Sequence, residues 1–170
     1  MAFSLEQHDP ASYQRKARII SVAMAGQLII FGLLFSMLLT TTFGSSVWLN
    51  ALGVLLGLLA TSAMFAALRE RPWMTEMRYV WQLKHHLSRI SSYLQPLRRA
   101  VEEDNRLALD ILTFYHQGMA QLAELNGRTT DDDAERLAEK MQVKVKREAL
   151  GLPKEVTTFD PHDLSAFKQK

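Results

Sequence analysis

The side chains best able to bind a metal or move a proton are two adjacent histidines, His85 and His86. Imidazole is a common metal ligand and titrates near neutral pH. Neighbouring residues of a helix point about 100° apart, so this pair cannot share one ion as two residues four apart can. The alternatives are a pH-sensitive surface group and an ordinary solvated helix face, and the spacing favours the solvated face.

Acidic residues form two groups that could hold a cation, at 102–104 and at 131–133. The first group would need help from Asp110 and His116. However, Glu103 and Asp110 stand about two helical turns apart and cannot meet at one ion without a second helix. The second group lacks the alternation and the glycine of a calcium loop, and acids that favour the start of a helix explain it better.

Sequence motifs for catalysis are absent from the chain. It has no glycine-rich phosphate-binding loop, no nucleophile elbow, no zinc-ligand spacing and no cysteine. Disulfides and thiolate sites are therefore impossible. We expect no enzymatic activity, no cofactor and no metal.

The polarity of the chain changes abruptly along its length. From residue 19 to residue 68 there is no charged side chain, a stretch of 50 residues. Two bilayer crossings of about 20 residues each would account for it. Hydroxyl and glycine residues at 40–46 mark a turn. We therefore predict spans at 19–42 and 47–68, both helical because backbone amides in lipid must be paired within the segment.

Basic residues flank this apolar run on both sides. Two arginines and a lysine lie within residues 15–18, Arg69 and Arg71 follow the second span, and the turn carries no charge. The positive-inside rule then puts both termini in the cytoplasm. A cleaved signal peptide is the alternative, but its apolar core would be about twice the usual 7–15 residues.

Small residues recur along one side of the second span, at Gly53, Gly57 and Ala60. This spacing lets two helix backbones approach closely. The surface could pack the two spans of one chain together or join two copies in a homodimer.

A heptad-type stripe follows the spans, formed by Val80, Leu83, Leu87, Ile90 and Leu94. Its alternating steps of three and four residues predict a helix packed along another helix. The stripe is either internal core or the surface where a partner or second copy binds.

Prolines and an Asn-Gly pair divide the region after the spans into three predicted helices, at about 72–93, 96–125 and 130–150. The predicted fold is therefore all-α, with a two-helix transmembrane hairpin followed by a cytoplasmic bundle of about three helices. Its segments are a cytoplasmic N-terminal segment at 1–18, the hairpin at 19–68, the helical region at 69–152 and a C-terminal tail at 153–170.

Charge is distributed unevenly over the polar part. Residues 69–99 carry seven basic and two acidic side chains, whereas residues 100–170 carry ten basic and fourteen acidic ones. Basic residues beside a span are attracted to anionic headgroups. We predict that the lipid bilayer is contacted by Arg71, Arg78, Lys84 and Arg89. The acidic remainder argues against nucleic-acid binding.

The block of residues 71–84, Arg-Pro-Trp-Met-Thr-Glu-Met-Arg-Tyr-Val-Trp-Gln-Leu-Lys, follows directly after the two apolar spans. It resembles the signature of an uncharacterised family of small two-span inner-membrane proteins of Gram-negative bacteria, known as a domain of unknown function. The resemblance covers most of the chain and implies a multi-pass protein of the bacterial inner membrane. It implies no activity and no role for single residues such as Pro72 or Trp81.

Two classes of function are open at this point. The first is a membrane-tethered interaction or scaffold protein whose soluble helices bind a partner or a second copy. The second is an accessory subunit of a membrane enzyme or transporter, contacted through the spans. Ionisable groups at membrane depth usually mark transport, and the spans carry none.

Overall fold

The computed structural model describes residues 2–44, 46–128 and 134–168, and these are mostly helical. In chain order the elements are β1 (Phe3–Ser4), α1 (Pro10–Phe43), α2 (Val47–Leu68), a 3₁₀ turn (Pro72–Met74), α3 (Thr75–Ser91), α4 (Leu94–Glu102), α5 (Arg106–Leu125), α6 (Ala134–Ala149), β2 (Thr158–Phe159) and a final 3₁₀ helix (Pro161–Phe167). The predicted all-α fold, with two long apolar helices before further helices, is confirmed.

The chain divides into two compact units. Residues 12–78, which hold most of α1 and all of α2, form the hairpin unit. Residues 1–11 and 79–170, which hold both strands and α4–α6, form the helical unit. The helical unit is therefore built from both ends of the chain.

The predicted bounds are closer to the observed ones for α2 than for α1. The bounds of α2 match the predicted span, whereas α1 begins nine residues before the predicted start. The early start follows from Pro10, whose missing N–H costs nothing in a first helical turn. Both helices are long and apolar enough to cross a membrane, and only 6 % and 17 % of their most apolar windows are buried.

The predicted helix at 96–125 is wrong, because the chain breaks between α4 and α5. Asp104 adopts a left-handed conformation with φ 56°, which ends α4. Asn105 then caps α5, and its side chain accepts a hydrogen bond of 3.1 Å from the backbone N–H of Ala108. Pro96 does not end the preceding helix, since it lies in the first turn of α4.

The stop predicted after α5 is confirmed. Gly127 has φ 67°, and the N–H of Arg128 donates to the carbonyl of Ala123 at 2.9 Å, as in a Schellman motif. The predicted start of the next helix, with its acids at 131–133, lies outside the described residues. Within them, α6 ends at Ala149 and Gly151 has φ 64°.

The core of the helical unit lies between α3, α4 and α5 and extends to the C-terminal segment. Side chains with at most 2 % of their surface exposed include those of Leu83, Ile90, Leu97, Leu109, Leu112, Phe114, Leu125 and Leu164. A Cβ built on Gly118 would lie 2.8 Å from a methyl carbon of Leu87, so α5 approaches α3 closely at a position without a side chain.

The segment at 153–170, expected as a tail, carries defined structure in its described residues. In β2, Phe159 pairs with Phe3 and Thr158 with Ser4 in an antiparallel register. Asp160 caps the final 3₁₀ helix by accepting from the N–H of His162 at 2.9 Å. Phe159 and Leu164 are both buried, so this segment contributes to the core.

Candidate functional site

The helices of the hairpin unit meet through small residues. A Cβ added to Gly53 would lie 2.5 Å from the Cα of Ser36, and one added to Gly57 would lie 2.6 Å from the backbone nitrogen of Gly32. No larger residue fits at either position without moving the helices apart. Ala60, the third residue of the predicted packing surface, is half-buried. The spacing of Gly32 and Ser36 on α1 matches that of the two glycines on α2, and sequence reasoning missed it.

Hydroxyl groups in this unit are bonded within the hairpin. Ser36 Oγ donates to the side-chain oxygen of Asn50 at 2.5 Å and so links α1 to α2. Thr61 Oγ1, which is buried, donates to the carbonyl of Gly57 at 2.8 Å. The Ser36–Asn50 bond joins the two helices, whereas the Thr61 bond lies within α2.

The basic side chains predicted to contact lipid, Arg71, Arg78, Lys84 and Arg89, are all exposed. Lys84 lies at the border of the buried side of α3, whereas Arg78 and Arg89 lie opposite its buried leucines. Trp81 lies on the same side, is 67 % exposed and stacks on His85 with ring centroids 6.0 Å apart. This outward side of α3 combines an indole with positive charge, the combination found at membrane interfaces.

The apolar stripe of α3 and α4 faces inward. Val80, Leu83, Leu87 and Ile90 are at most 3 % exposed, and Leu94 is half-buried. The structure therefore places the stripe within the core of the helical unit. Of its five residues, only Leu94 keeps part of its surface exposed.

The N-terminal segment is held in the helical unit by hydrogen bonds around Tyr79. The hydroxyl of Tyr79 donates to Gln121 Oε1 at 2.8 Å and accepts from the backbone N–H of Glu6 at 3.0 Å. Gln121 Nε2 in turn donates to the carbonyl of Glu6 at 2.5 Å. Burial raises the pKa of the Tyr79 hydroxyl, which therefore acts as a neutral donor.

The two adjacent histidines lie in different surroundings. His85 is exposed, whereas His86 packs among aromatic rings, 4.7 Å from the ring centroid of Phe3 and 5.9 Å from that of Phe159. Burial and the nearby cation of Arg89 lower the pKa of His86. Its imidazole is thus part of an aromatic cluster that binds β1 and β2 to the helices.

Another histidine, His116, lies in an ionic cluster where α4, α5 and α6 meet. Arg98 donates two hydrogen bonds to Glu139, at 2.7 and 3.1 Å. His116 Nε2 is buried 3.7 Å from the same carboxylate, and no hydrogen bond reaches it from the described part of the chain. Burial lowers the pKa of His116, although the Glu139 carboxylate acts in the opposite direction.

This ionic cluster borders a cleft of about 310 Å³ between α4, α5 and α6. Its polar lining consists of Arg98, Glu102, Glu135, Glu139 and Gln142. Because the guanidinium already pairs with Glu139, the described lining of the cleft offers an anion no unpaired cation. Its clearest role is mechanical, since the bidentate pair fixes α6 against α4.

Asp110 forms an ion pair with a buried arginine. Arg147 is 2 % exposed and donates to Asp110 and, at 2.7 and 3.1 Å, to the carbonyl of Pro153. Nearby, Lys146 donates at 2.8 Å to the carbonyl of Val101, near the end of α4. These contacts tie α6 to α5 and α4.

Metal-ligating groups do not converge in the structure. Among the described residues, no three His, Asp or Glu side chains are grouped so that they could hold an ion. Sequence reasoning missed the pairs Arg98–Glu139 and Arg147–Asp110, because partners far apart in the chain share no local pattern.

Comparison with known proteins identifies the family of the chain. Residues 3–164 match the sequence model of a family described as "Protein of unknown function (DUF3087)". The chain belongs to this family. The match begins at β1 and ends in the final 3₁₀ helix, so the DUF3087 domain includes both the hairpin unit and the helical unit. No curated protein and no solved structure matches the chain significantly.

Proposed function

We propose that the protein is a membrane-tethered scaffold without enzymatic activity, in which α1 and α2 cross the bilayer and the helical unit binds a partner. The observation that carries the proposal is the exposure of the two apolar helices. A core helix of a soluble protein is mostly buried, yet only 6 % and 17 % of the apolar windows of α1 and α2 are covered by protein. A lipid environment would cover the rest.

The proposed topology puts both termini in the cytoplasm. β1 precedes the hairpin and pairs with β2, which follows it. Two segments can pair in this way only if they lie on the same side of a bilayer that the hairpin crosses twice. The basic residues at both ends of the hairpin favour the cytoplasmic side.

We assign the protein to the inner membrane of a Gram-negative bacterium, as the sequence resemblance implies. A signal peptide cleaved after the first span would remove β1 and the residues that bond Tyr79. The contribution of this segment to the helical unit supports an uncleaved first span.

The proposed lipid contact rests on the outward side of α3. Its exposed arginine and lysine side chains and the exposed Trp81 match an anionic surface. A fluorophore attached through Ser88→Cys, on the same side of α3, should be quenched by headgroup-labelled anionic lipid in nanodiscs. Quenching should weaken as salt rises, because salt screens exposed charges. Quenching that is the same in neutral lipid contradicts this contact.

Substituted cysteines test the topology, since the natural chain has no cysteine. In cells with a permeabilised outer membrane, an impermeant maleimide should label Ser46→Cys, in the turn between α1 and α2. It should label the exposed Ser165→Cys only after the inner membrane is opened. Labelling of Ser165→Cys from outside, or release of the protein by alkaline carbonate, contradicts the proposal.

Photo-cross-linking separates a scaffold from an accessory subunit. A photoreactive residue at Leu33 on α1 is compared with one at Val145 on α6, because the native side chains are similarly exposed, at 67 % and 61 %. A scaffold should give protein adducts from the helical unit and lipid adducts at Leu33. Protein adducts at Leu33 alone would instead support an accessory subunit contacted through the spans.

A further inference from the structure

Three apolar side chains form a row on the outward side of α6. Leu137, Met141 and Val145 are spaced four residues apart, so they lie along one side of the helix. They are 55 %, 52 % and 61 % exposed. The opposite side of α6 enters the core through Val143 and Arg147, which are at most 3 % exposed. The row is therefore not part of the core, and no described residue of the chain covers it.

The charges on the two sides of this row have opposite signs. Lys140 and Lys144 lie along one side and are exposed. On the other side α6 borders the cleft, whose lining includes the exposed Glu102 and Glu135. Arg98 and Lys146 also lie on this side, but they are paired with Glu139 and Asp104, so the row separates a basic margin from one that is acidic in net charge.

We infer that a second copy of the chain binds this surface, with the two α6 helices side by side and parallel. A two-fold axis running along the helices would bring the basic margin of each copy against the acidic margin of the other. An antiparallel pair would instead place lysines beside lysines and glutamates beside glutamates. Both arrangements would bury the apolar row between the two helices. The charges on the margins therefore decide whether the helices run parallel or antiparallel.

Glu102 lies beside the part of α6 that carries Lys144. Lys146, two residues further along α6, donates to the carbonyl of Glu102 at 3.3 Å. In the parallel pair, Glu102 of one copy and Lys144 of the other are therefore the charges that we expect to meet. The symmetry produces this pair twice in each dimer.

From the sequence, two surfaces could have formed a homodimer contact. In the structure, both pack against other parts of the same chain. Gly53 and Gly57 pack α2 against α1, and the stripe of α3 lies in the core. Among the described residues of the helical unit, the row on α6 is an exposed apolar surface with opposite charges on its two sides. The inference uses the helical unit alone and does not depend on the proposed membrane insertion.

Single cysteines in the full-length protein report the direction of the pair. In a parallel pair every residue of the row meets its own copy, so Leu137→Cys, Met141→Cys and Val145→Cys should each form a disulfide-linked dimer under mild oxidation. In an antiparallel pair only Met141→Cys should do so. Ser88→Cys, exposed on α3, is the control and should remain monomeric.

Charge reversal tests the margins. Lys144→Glu should weaken dimerisation about tenfold, because two exposed ion pairs are lost from each dimer. Combining it with Glu102→Lys should restore the affinity, since the pair is then reformed with reversed charges. The affinity is measured by mass photometry in mild detergent over a dilution series.

Several results would overturn the inference. Cross-linking at Met141→Cys alone refutes the parallel arrangement, and equal cross-linking of Ser88→Cys shows random collision. A monomeric mass at every concentration refutes the dimer. Protection of Met141→Cys from a water-soluble maleimide without cross-linking shows that lipid or another protein covers the row.

Discussion

Replacing Leu87 with aspartate tests whether the α3 stripe is structural. Leu87 is 3 % exposed and packs against α5 at Gly118, which has no side chain. Removing a buried leucine side chain costs about 2–5 kcal/mol. A carboxylate left without a partner at the same place adds several more through desolvation. Since whole domains are stable by only about 5–15 kcal/mol, Leu87→Asp should unfold the helical unit.

The assay is limited proteolysis and thermal unfolding of the full-length protein in detergent. Ser88→Asp is the matched control, because it adds the same charge at the next position, which is exposed. It should change stability by about 0.5 kcal/mol at most. The reasoning is refuted if Leu87→Asp keeps its protease resistance and melting temperature while losing self-association, since the stripe would then be a binding surface.

Three further predictions concern single contacts. Because the folded state holds the pKa of His116 down, stability should fall as pH drops below about 6.5, where the unfolded chain binds the proton more readily. His116→Asn should flatten that dependence, as judged by urea midpoints at about pH 7.5 and about pH 5.5. Asn105→Ala removes the cap of α5 and should cost about 1 kcal/mol in the same assay, with Asn105→Asp as the conservative control. Gly57→Leu should lower the thermal aggregation temperature of the protein in detergent, whereas Gly26→Leu, where nothing lies within 4 Å, should not.

The apolar helices could be located from the sequence because their signal is local. An uncharged run with a turn in the middle fixes where α2 begins and ends. The start of α1 could not be found in the same way, since residues 10–18 are polar and their helix has no hydrophobic period to reveal it. The pattern of the α3 stripe indicated a packed helix but could not say which surface would cover it.

Other features depend on contacts between distant residues. The break at Asp104 depends on one residue with positive φ inside a helical pattern, and nothing in its immediate neighbourhood requires that conformation. The strands are two residues long and their pairing partners are about 150 residues apart, so neither has a recognisable pattern alone. The clustering of Arg98 with Glu139 and His116 likewise depends on how three helices pack.

The pairing of Phe3 with Phe159 sets an order of events during synthesis. The first strand leaves the ribosome before the hairpin, and its partner follows about 150 residues later, so the helical unit stays incomplete until β2 has emerged. A long loop must then close, which slows folding. If the hairpin crosses the membrane as proposed, a chain in which only one of its two helices had crossed would hold the two strands on opposite sides. Completion of this small sheet would therefore report that both helices have crossed, and half-inserted chains would expose an unfinished core to proteases.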